Sequence, residues 1–364
     1  MLVAFRVDAS LQIGTGHVMR CLALAQSLTA RGARCVFICR KHEGHLASKI
    51  KNFGFELIEL PNIFLKNNKL SDKFRYENWL GCDALLDANQ STTALLSIIG
   101  HKVDWLIVDH YGIDHKWEKA MRRITKKIMC IDDLANRQHD CDLLLDQTLG
   151  RIKQDYSNLT LENSEFLLGP KYALLRTEFI KCRGASLKRR LNPTLKNILI
   201  TMGGIDKDDI TSNVLCTLNA IKSKAIKKII VVLGSNAPFM STVQTEALKM
   251  NINTQVMTDV SNIAQLMTKC DLVIGAAGST TWERCSLGVP SIQIVIADNQ
   301  KVIAERMEKA GAALTCLASD LDTGLPTALA KINQDQNLYK MANAAAEITD
   351  GAGTSRVVEY VYGS

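Results

Sequence analysis

The stretch "LVAFRVDASLQIGTGHVMRCLALAQSL", Leu2 to Leu28, decides the fold. Leu2 to Val7 is an apolar run of strand length. From Val18 the apolar residues recur at helical spacing, with Val18, Cys21, Leu22, Ala25 and Leu28 on one face and Arg20, Gln26 and Arg31 off it. Between strand and helix lies "GTGHVMR", Gly14 to Arg20. Gly14 and Gly16 have no side chain to bar close backbone approach, and the free N–H groups that open the next helix attract an anion. His17 then stands beside that anion. Many strand-to-helix turns carry glycine, so the loop gains its meaning only from the rest of the chain.

The alternation continues. "CVFIC" from Cys35, "FELIEL" from Phe55, "WLIVDHY" from Trp105, "IMCIDD" from Ile128 and "DLLLDQ" from Asp142 read as strands separated by amphipathic helical stretches. This is the pattern of a parallel, doubly wound sheet. A polar stretch follows Gly150, then "FLLGPKYALLRTEF" and a basic segment ending at Pro193, where the domain junction is expected. A second series begins with "NILITMGG" from Asn197 and continues with "IIVVLGS" from Ile229, "TQVMTDV" from Thr254, "DLVIGAAGST" from Asp271 and "SIQIVIADNQ" from Ser291. The expected division is residues 1–185 and 186–364, each a Rossmann-like α/β domain, with a last helix near 337–362 that packs back on the first domain or stays with the second. Three strands of the second series run into glycine turns, at Gly203 and Gly204, at Gly234, and at Gly275 and Gly278. Ligands bind beyond the carboxyl ends of parallel strands, so two such glycine-rich edges imply parallel sheets facing across a cleft.

Length and composition agree with this division. At 364 residues the chain is long for one hydrophobic core, and 47% hydrophobic with 22% charged residues is ordinary for a folded enzyme. Forty-four Lys and Arg against 37 Asp and Glu give a formal charge of +7, which favours an anionic ligand. The positive charges are spread out, apart from Lys181, Arg183, Lys188, Arg189 and Arg190, and aromatic residues do not interleave that cluster. It reads as a solvated linker, and no nucleic-acid partner is expected. The 11 cysteines form no Cys-x-x-Cys pair, and several of them, such as Cys35, Cys130 and Cys270, fall in or beside apolar runs, as reduced buried thiols do. No signal-peptide pattern opens the chain, and no apolar run approaches the roughly 18 residues of a membrane span. A cytoplasmic protein without membrane attachment is expected.

All seven histidines lie at or before His139, so histidine chemistry must come from the first domain. His42 and His45 sit in a basic loop with no acidic partner nearby, and His101, His115 and His139 in polar surroundings that read as exposed; these five are taken as structural or incidental. His17 and His110 sit at the predicted ligand edge. A neutral imidazole suits a general base at pH 7, and a helix N-terminus disfavours its charged form. Asp8, Asp109, Asp132 and Asp133 also end strands on that side, to orient a histidine, bind sugar hydroxyls or cap helices. The anion turn is "GAAGSTTWE", where the backbone donors after Gly278, the hydroxyls of Ser279 and Thr280 and the positive end of the next helix suit a diphosphate. Glu283, one turn on, is placed to accept both hydroxyls of a ribose or, equally simply, to favour the helix dipole. Neither metal-ligand spacing nor a Gly-x-Ser-x-Gly elbow occurs, and "GTGHVM" lacks the third glycine of a nicotinamide fingerprint. No metal and no cofactor are expected.

Taken in order, "RVDASLQIGTGHVMRCLALA" from Arg6, "VDHYGID" from Val108, "IDDLANRQHDCDLLLDQ" from Ile131, "LLGPKYALLR" from Leu167, "TMGGID" from Thr201, "IGAAGSTTWERCSLGVPSI" from Ile274 and Asn299–Gln300 resemble the PseG family. These are UDP-2,4-diacetamido-2,4,6-trideoxy-β-L-altropyranose hydrolases of pseudaminic acid biosynthesis, similar in turn to MurG-type glycosyltransferases. The resemblance implies a GT-B architecture and a UDP-sugar as the small-molecule partner. It implies His17 as catalytic base, Ser279 and Thr280 on the diphosphate, Glu283 on the ribose, and Asn299 and Gln300 on the sugar. Gly14, Gly16, Arg20, Asp109, His110, Tyr111 and Gly278 complete the expected substrate-binding set. The chain departs from the pattern at Thr177, where proline is usual, and is longer around 64–93 and 152–164.

Overall fold

The computed structural model describes residues 1–63, 76–334 and 336–363, the side chain of Glu77 excepted. The chain divides into two compact units, Met1–Leu174 together with the residues from Thr354 on, and Leu175–Gly353. The first holds seven strands: β1 (Leu2–Val7), β2 (Arg34–Arg40), β3 (Glu56–Leu60), β4 (Val103–Asp109), β5 (Thr125–Ile131), β6 (Leu143–Asp146) and β7 (Glu165–Leu168). All pair in parallel, in the order β3-β2-β1-β4-β5-β6-β7.

β1 shows why these residues form a central strand. Val3, Phe5 and Val7 face one core and Leu2 and Ala4 the other, so the period-2 alternation is apolar on both faces, as a sheet covered on both sides requires. Phe5 stacks on Phe37 of β2 with ring centroids 4.8 Å apart. The Gly16–Thr29 helix buries Val18, Cys21, Leu22, Ala25 and Leu28 against that face, each large aliphatic side chain contributing roughly 1.5–3 kcal/mol. The opposite face is covered by Trp117 and Met121.

The second unit holds β8 (Asn197–Thr201), β9 (Lys228–Leu233), β10 (Asn253–Thr258), β11 (Leu272–Ala276), β12 (Ser291–Val295) and β13 (Ala313–Leu317). They too are parallel, in the order β10-β9-β8-β11-β12-β13. Ile198, Ile200, Ile229, Val231, Leu272 and Ile274 pack on one face against Leu215, Leu218 and Leu325. In both sheets the chain reverses its direction of travel across the sheet between two central strands, β1 and β4 in one and β8 and β11 in the other. Crevices at such points are where open parallel sheets bind ligands.

Several expectations need correction. The boundary falls at 174/175 and not at 185, because the Thr177–Arg189 helix is held by the second unit. There Arg183 donates to the carbonyls of Ser286, Ala346 and Thr349, and Ser186 Oγ to that of Leu287. The single last helix is two: Asn337–Ile348 in the second unit, and Gly353–Gly363, whose Val357, Val358 and Val361 enter the first core. The long loop at 64–93 is in part a helix, Ala84–Ile99, capped by the Asp83 carboxylate; residues 64–75 lie outside the described residues. The 152–164 stretch contains the short 3-10 turn Lys153–Tyr156, whose Tyr156 is buried.

Candidate functional site

In the first unit, β1 ends beside β4, with Val7 opposite Asp109. The turn after β1 is closed by a Gly14 N–H to Ser10 C=O bond of 2.8 Å, and Gly14 sits at φ +79°, where an L side chain is strained. Gly16 opens the helix, which places His17 on its first turn, over the end of β4. His17 Nδ1 lies 2.5 Å from Asp109 Oδ1. Arg20, one turn further on, donates from Nε to Asp109 Oδ2 and from Nη2 to Asp109 Oδ1, both at 2.6 Å, and from Nη1 to Asp133 Oδ2 at 3.2 Å. Asp109 is buried at 1% exposure. Burial alone would raise its pKa, but Arg20 and then His17 hold the carboxyl well below its usual range. A carboxylate that is ionised and acceptor-only commits the His17 proton to Nδ1. Among the described residues Nε2 makes no hydrogen bond, and it is the nitrogen left to act as a base.

Aromatic rings surround this imidazole. Tyr111 and Trp79 meet it edge-on at 4.7 and 6.3 Å, and Tyr111 stacks on Trp79 at 5.3 Å. Tyr111 also donates its hydroxyl to Asp133. Burial, reinforced by that carboxylate, pushes the phenol well above its normal pKa, so it remains a donor.

His110 is placed differently from its expectation as a substrate ligand. It is 2% exposed, its Nδ1 accepts from Gly112 N–H at 3.0 Å, and its Nε2 lies 3.3 Å from Asp8 Oδ2. Both nitrogens face the protein, and burial lowers the pKa of the ring. Asp8 in turn accepts from the backbone of Arg40 and pairs with Arg6 at 2.7 Å, while Arg6 and Arg40 share Asp87. His110 thus belongs to the buried framework behind β1. Asp109 and Arg20 likewise spend their polar atoms on protein partners: on each other, on His17 and, for Arg20, on Asp133.

Two of the five histidines set aside as structural or incidental have other surroundings than expected: His42 has an acidic partner, and His139 is buried. His42 Nε2 lies 3.4 Å from Asp8, and His139 is 3% exposed with Nδ1 2.7 Å from Glu118 Oε1. Glu118, Cys130 and His139 offer three donor atoms within 4.8 Å of one another. Glu118 Oε1 already accepts from Cys130 Sγ at 3.0 Å, and burial pushes that thiol well up, so the three donor atoms are spent on one another, while the buried His139 Nε2 makes no hydrogen bond among the described residues. The partner, Glu118, is 21 residues from His139 and carries no local signal.

In the second unit the glycine turns after β8, β9 and β11 adjoin. A Cβ at Gly275 would meet the Thr201 carbonyl at 2.6 Å, and one at Gly234 the Gly204 carbonyl at 2.3 Å, so only glycine fits either place. Gly278, Ser279 and Thr280 form the turn into the Thr280–Ser286 helix and are half-buried. A Cβ at Gly278 would lie 3.8 Å from Gln300 Nε2, which places Gln300 beside that turn. Asn299 and Gln300 sit in the Asp298–Gln300 turn after β12, with Gln300 Oε1 accepting from Ile296 N–H at 3.2 Å. Glu283 pairs with Arg176 at 3.3 Å; burial raises its pKa, and Arg176 opposes that.

Two residues escaped the sequence reading here. Arg176, in the "LLRTEF" segment, holds Glu283. Arg284 is buried under the turn, donating to Thr280 Oγ1 at 3.1 Å, Thr281 Oγ1 at 2.9 Å and the Ala276 carbonyl at 3.1 Å. The signal for Arg284 was an arginine one residue from Glu283 on a helix whose neighbours are apolar or small.

Residues 197–354 match the sequence profile described as the Glycosyltransferase family 28 C-terminal domain. An uncharacterized protein of Methanocaldococcus jannaschii is 27% identical over 80% of this chain and 55% of its own length, so the chain spans about half of that relative. The UDP-2,4-diacetamido-2,4,6-trideoxy-β-L-altropyranose hydrolase of Campylobacter jejuni is 28% identical over 85% of this chain and 97% of its own. Among solved structures, MurG of Acinetobacter baumannii aligns with a TM-score of 0.68 at 17% identity, covering 100% of this chain and 99% of MurG. The two parallel-sheet α/β units, of seven and six strands, are those of the GT-B fold. Among the described residues no helix is long and apolar enough to cross a membrane.

Proposed function

We propose that the protein hydrolyses UDP-2,4-diacetamido-2,4,6-trideoxy-β-L-altropyranose to UDP and the free sugar, with inversion at the anomeric carbon, as a step of pseudaminic acid biosynthesis. The observation that carries the reading is the imidazole of His17, whose Nδ1 is bound to a buried carboxylate and whose Nε2 makes no hydrogen bond among the described residues. It stands in a chain whose similarity to the Campylobacter hydrolase runs through 85% of its length.

In this reading His17 Nε2 takes a proton from water as the water oxygen bonds to the anomeric carbon. The bond from that carbon to the β-phosphate oxygen breaks, and its electron pair leaves on UDP. Asp109 stabilises the imidazolium that forms, which then returns its proton to solvent. The backbone donors and hydroxyls of Gly278, Ser279 and Thr280 hold the departing diphosphate, as preorganised donors do for developing charge. Gly14 and Gly16 let the backbone approach the phosphates. Glu283, released from Arg176, accepts the ribose hydroxyls, and Asn299 and Gln300 contact the sugar.

A UDP-sugar glycosyltransferase is the second reading, supported by the family 28 match, because the same fold serves either acceptor. Time-resolved proton and phosphorus NMR in oxygen-18 water, with chelator present, separates the two. The expected result is unlabelled UDP and an inverted sugar carrying the label at its anomeric oxygen. Labelled UDP would place the attack at phosphorus, and turnover only after an alcohol acceptor is added would make the protein a transferase. Replacing His17 by Gln should leave UDP binding intact and lower turnover about 10²- to 10⁴-fold; equal losses in both would make His17 structural.

A further inference from the structure

Arg6, Arg40 and Arg284 are among the largest fully buried side chains of the protein. The first two share the Asp87 carboxylate at 2.7 and 2.6 Å. Among the described residues no carboxylate lies within ion-pairing distance of Arg284, whose neighbour in sequence, Glu283, is turned to Arg176. Among the described residues its hydrogen bonds go to one carbonyl and two threonine hydroxyls, and its Nε, though buried, has no partner there. Burial pushes the guanidinium down to about 10, with Cys285 and Glu283 offsetting little of that, yet it stays charged at neutral pH. Two other arginines of this unit also lack a bonded carboxylate, but both sit in clusters of backbone carbonyls: Arg190 on those of Ser186, Met267, Thr268 and Cys270, and Arg183 on those of Ser286, Ala346 and Thr349. Among the described residues Arg284 has only the Ala276 carbonyl. A buried cation without a counter-charge is costly and demands a partner.

The surroundings show where that partner would bind. A guanidinium only donates, so Thr280 Oγ1 must accept from Arg284 Nη1, and the hydroxyl hydrogen of Thr280 is left for another acceptor. Thr280 is half-buried, like Gly278 and Ser279 before it, while Thr281, fully buried, anchors the other arm of the fork together with Gln293. Gly275 leaves room for this arrangement, since a Cβ there would come within 3.2 Å of Arg284 Nη1. We propose that Arg284 is a positioning residue for a bound diphosphate: it turns the Thr280 hydroxyl outward as a polarised donor, and the diphosphate supplies the counter-charge that the protein omits. The proposal rests on the nucleotide-binding half of the function proposed above. A donor whose oxygen is held by a cation is strengthened toward the next acceptor.

The test compares wild type with Arg284→Met and Arg284→Lys in the full chain, by calorimetry with UDP and inorganic pyrophosphate and by ligand-observed NMR with the weaker ligand uridine. For Arg284→Met, affinity for UDP and for pyrophosphate should fall tenfold or more while that for uridine holds. The melting temperature without ligand should rise, because an unpaired buried charge is gone. Arg284→Lys should retain part of the UDP affinity. Unchanged UDP affinity in Arg284→Met, or equal losses for UDP and uridine, would overturn the proposal. If wild type binds pyrophosphate in an Arg284-dependent way but neither UDP nor uridine, the nucleotide reading fails and Arg284 keeps its role. If UDP binds and Arg284 does not matter, the reverse holds. Should Arg284→Met fail to fold, a cycle of Arg284→Lys with Thr280→Val decides: a lysine effect that vanishes in the Thr280→Val background supports action through Thr280, and fully additive losses refute it.

Discussion

Asp109→Asn removes one charge and changes one atom, and the geometry around it sets the consequence. The wild-type carboxylate accepts from His17 Nδ1 at 2.5 Å and twice from Arg20 at 2.6 Å. An amide has one accepting oxygen. If that oxygen stays with Arg20, the amide N–H faces His17 Nδ1, the ring proton moves to Nε2, and no base remains; the equivalent change in an Asp–His pair lowers kcat about 10⁴-fold. If the oxygen turns to His17, the tautomer survives, the imidazolium loses its counter-charge, and the loss is at the lower end of general-base effects, about 10²-fold. Either way Arg20 meets an amide N–H. Breaking a buried pair costs about 3–5 kcal/mol, and the remaining Arg20 to Asp133 bond at 3.2 Å argues for the lower figure. At about 2–4 °C per kcal/mol for a unit of this size, the melting temperature should fall by roughly 6–12 °C. The assay is UDP release under saturating UDP-sugar, paired with a thermal melt and a nitrogen-15 spectrum of the His17 ring, which reports the tautomer. Replacing Arg20 by Met in the same chain should recover much of the stability and none of the activity. A folded Asp109→Asn protein turning over within threefold of wild type would refute the assignment of His17 as a base oriented by Asp109.

Glu283→Gln should erase the preference for UDP over 2′-deoxy-UDP, which in wild type is expected to be about 10-fold or more for a charged acceptor on a hydroxyl; an unchanged ratio in titrations of the two nucleotides would remove Glu283 from the ribose. Gly275→Ala should destabilise the second unit by about 1–3 kcal/mol, since the new methyl would press on the Thr201 carbonyl at 2.6 Å, and a wild-type melt would count against the register described. Asp146 is raised to about 6 by burial and by Asp133, against Arg151. A carboxyl whose folded pKa exceeds its unfolded value near 3.9 contributes stability at low pH that is lost as pH rises through about 4 to 6, roughly 3 kcal/mol for two units. Asp146→Asn should therefore flatten the fall in stability between pH 4 and 7, and urea melts showing the same slope as wild type would refute it. Asp109 has the opposite sign, its contribution being present above about pH 4 and lost in acid.

The central strands were legible because they are buried on both faces, which writes a continuous apolar run such as "WLIVD" or "DLVIGA". The edges were not. β7 is four residues with only Leu167 buried, and β13 mixes Thr315 and Cys316 into a half-exposed strand, so neither carries the run or the alternation that marks a strand. The domain boundary was misplaced for a related reason. A basic helix, Thr177–Arg189, looks like a linker when its charges are counted, but Arg183 and Ser186 spend their donors on helix-end carbonyls of the second unit. Composition cannot distinguish a solvated arginine from one capping a helix 100 residues away.

The same limit separates the site residues that could be read from those that could not. Gly14, His17, Gly275 and Gly278 announce themselves because a turn at the end of a parallel strand restricts which residues fit, and the restriction is local. Asp109 could be seen as a strand-end carboxylate but not as the partner of His17, 92 residues away, nor could His110 be seen to turn from the ligand edge toward Asp8. Charge balance is likewise a property of the folded neighbourhood. In the first unit the buried cations Arg6, Arg20 and Arg40 all have carboxylates, and in each case the pairing crosses strands or helices. Among the described residues Arg284 has none, and only the structure shows that the sum fails to close there. A base whose partners are all in place needs no ligand to complete it, whereas a cation left unpaired under a turn of small residues does. On physical grounds, then, the two edges differ: at the first, His17 Nδ1, Asp109 and Arg20 satisfy one another, and at the second Arg284 carries a charge that, in the proposal made above, a bound diphosphate balances.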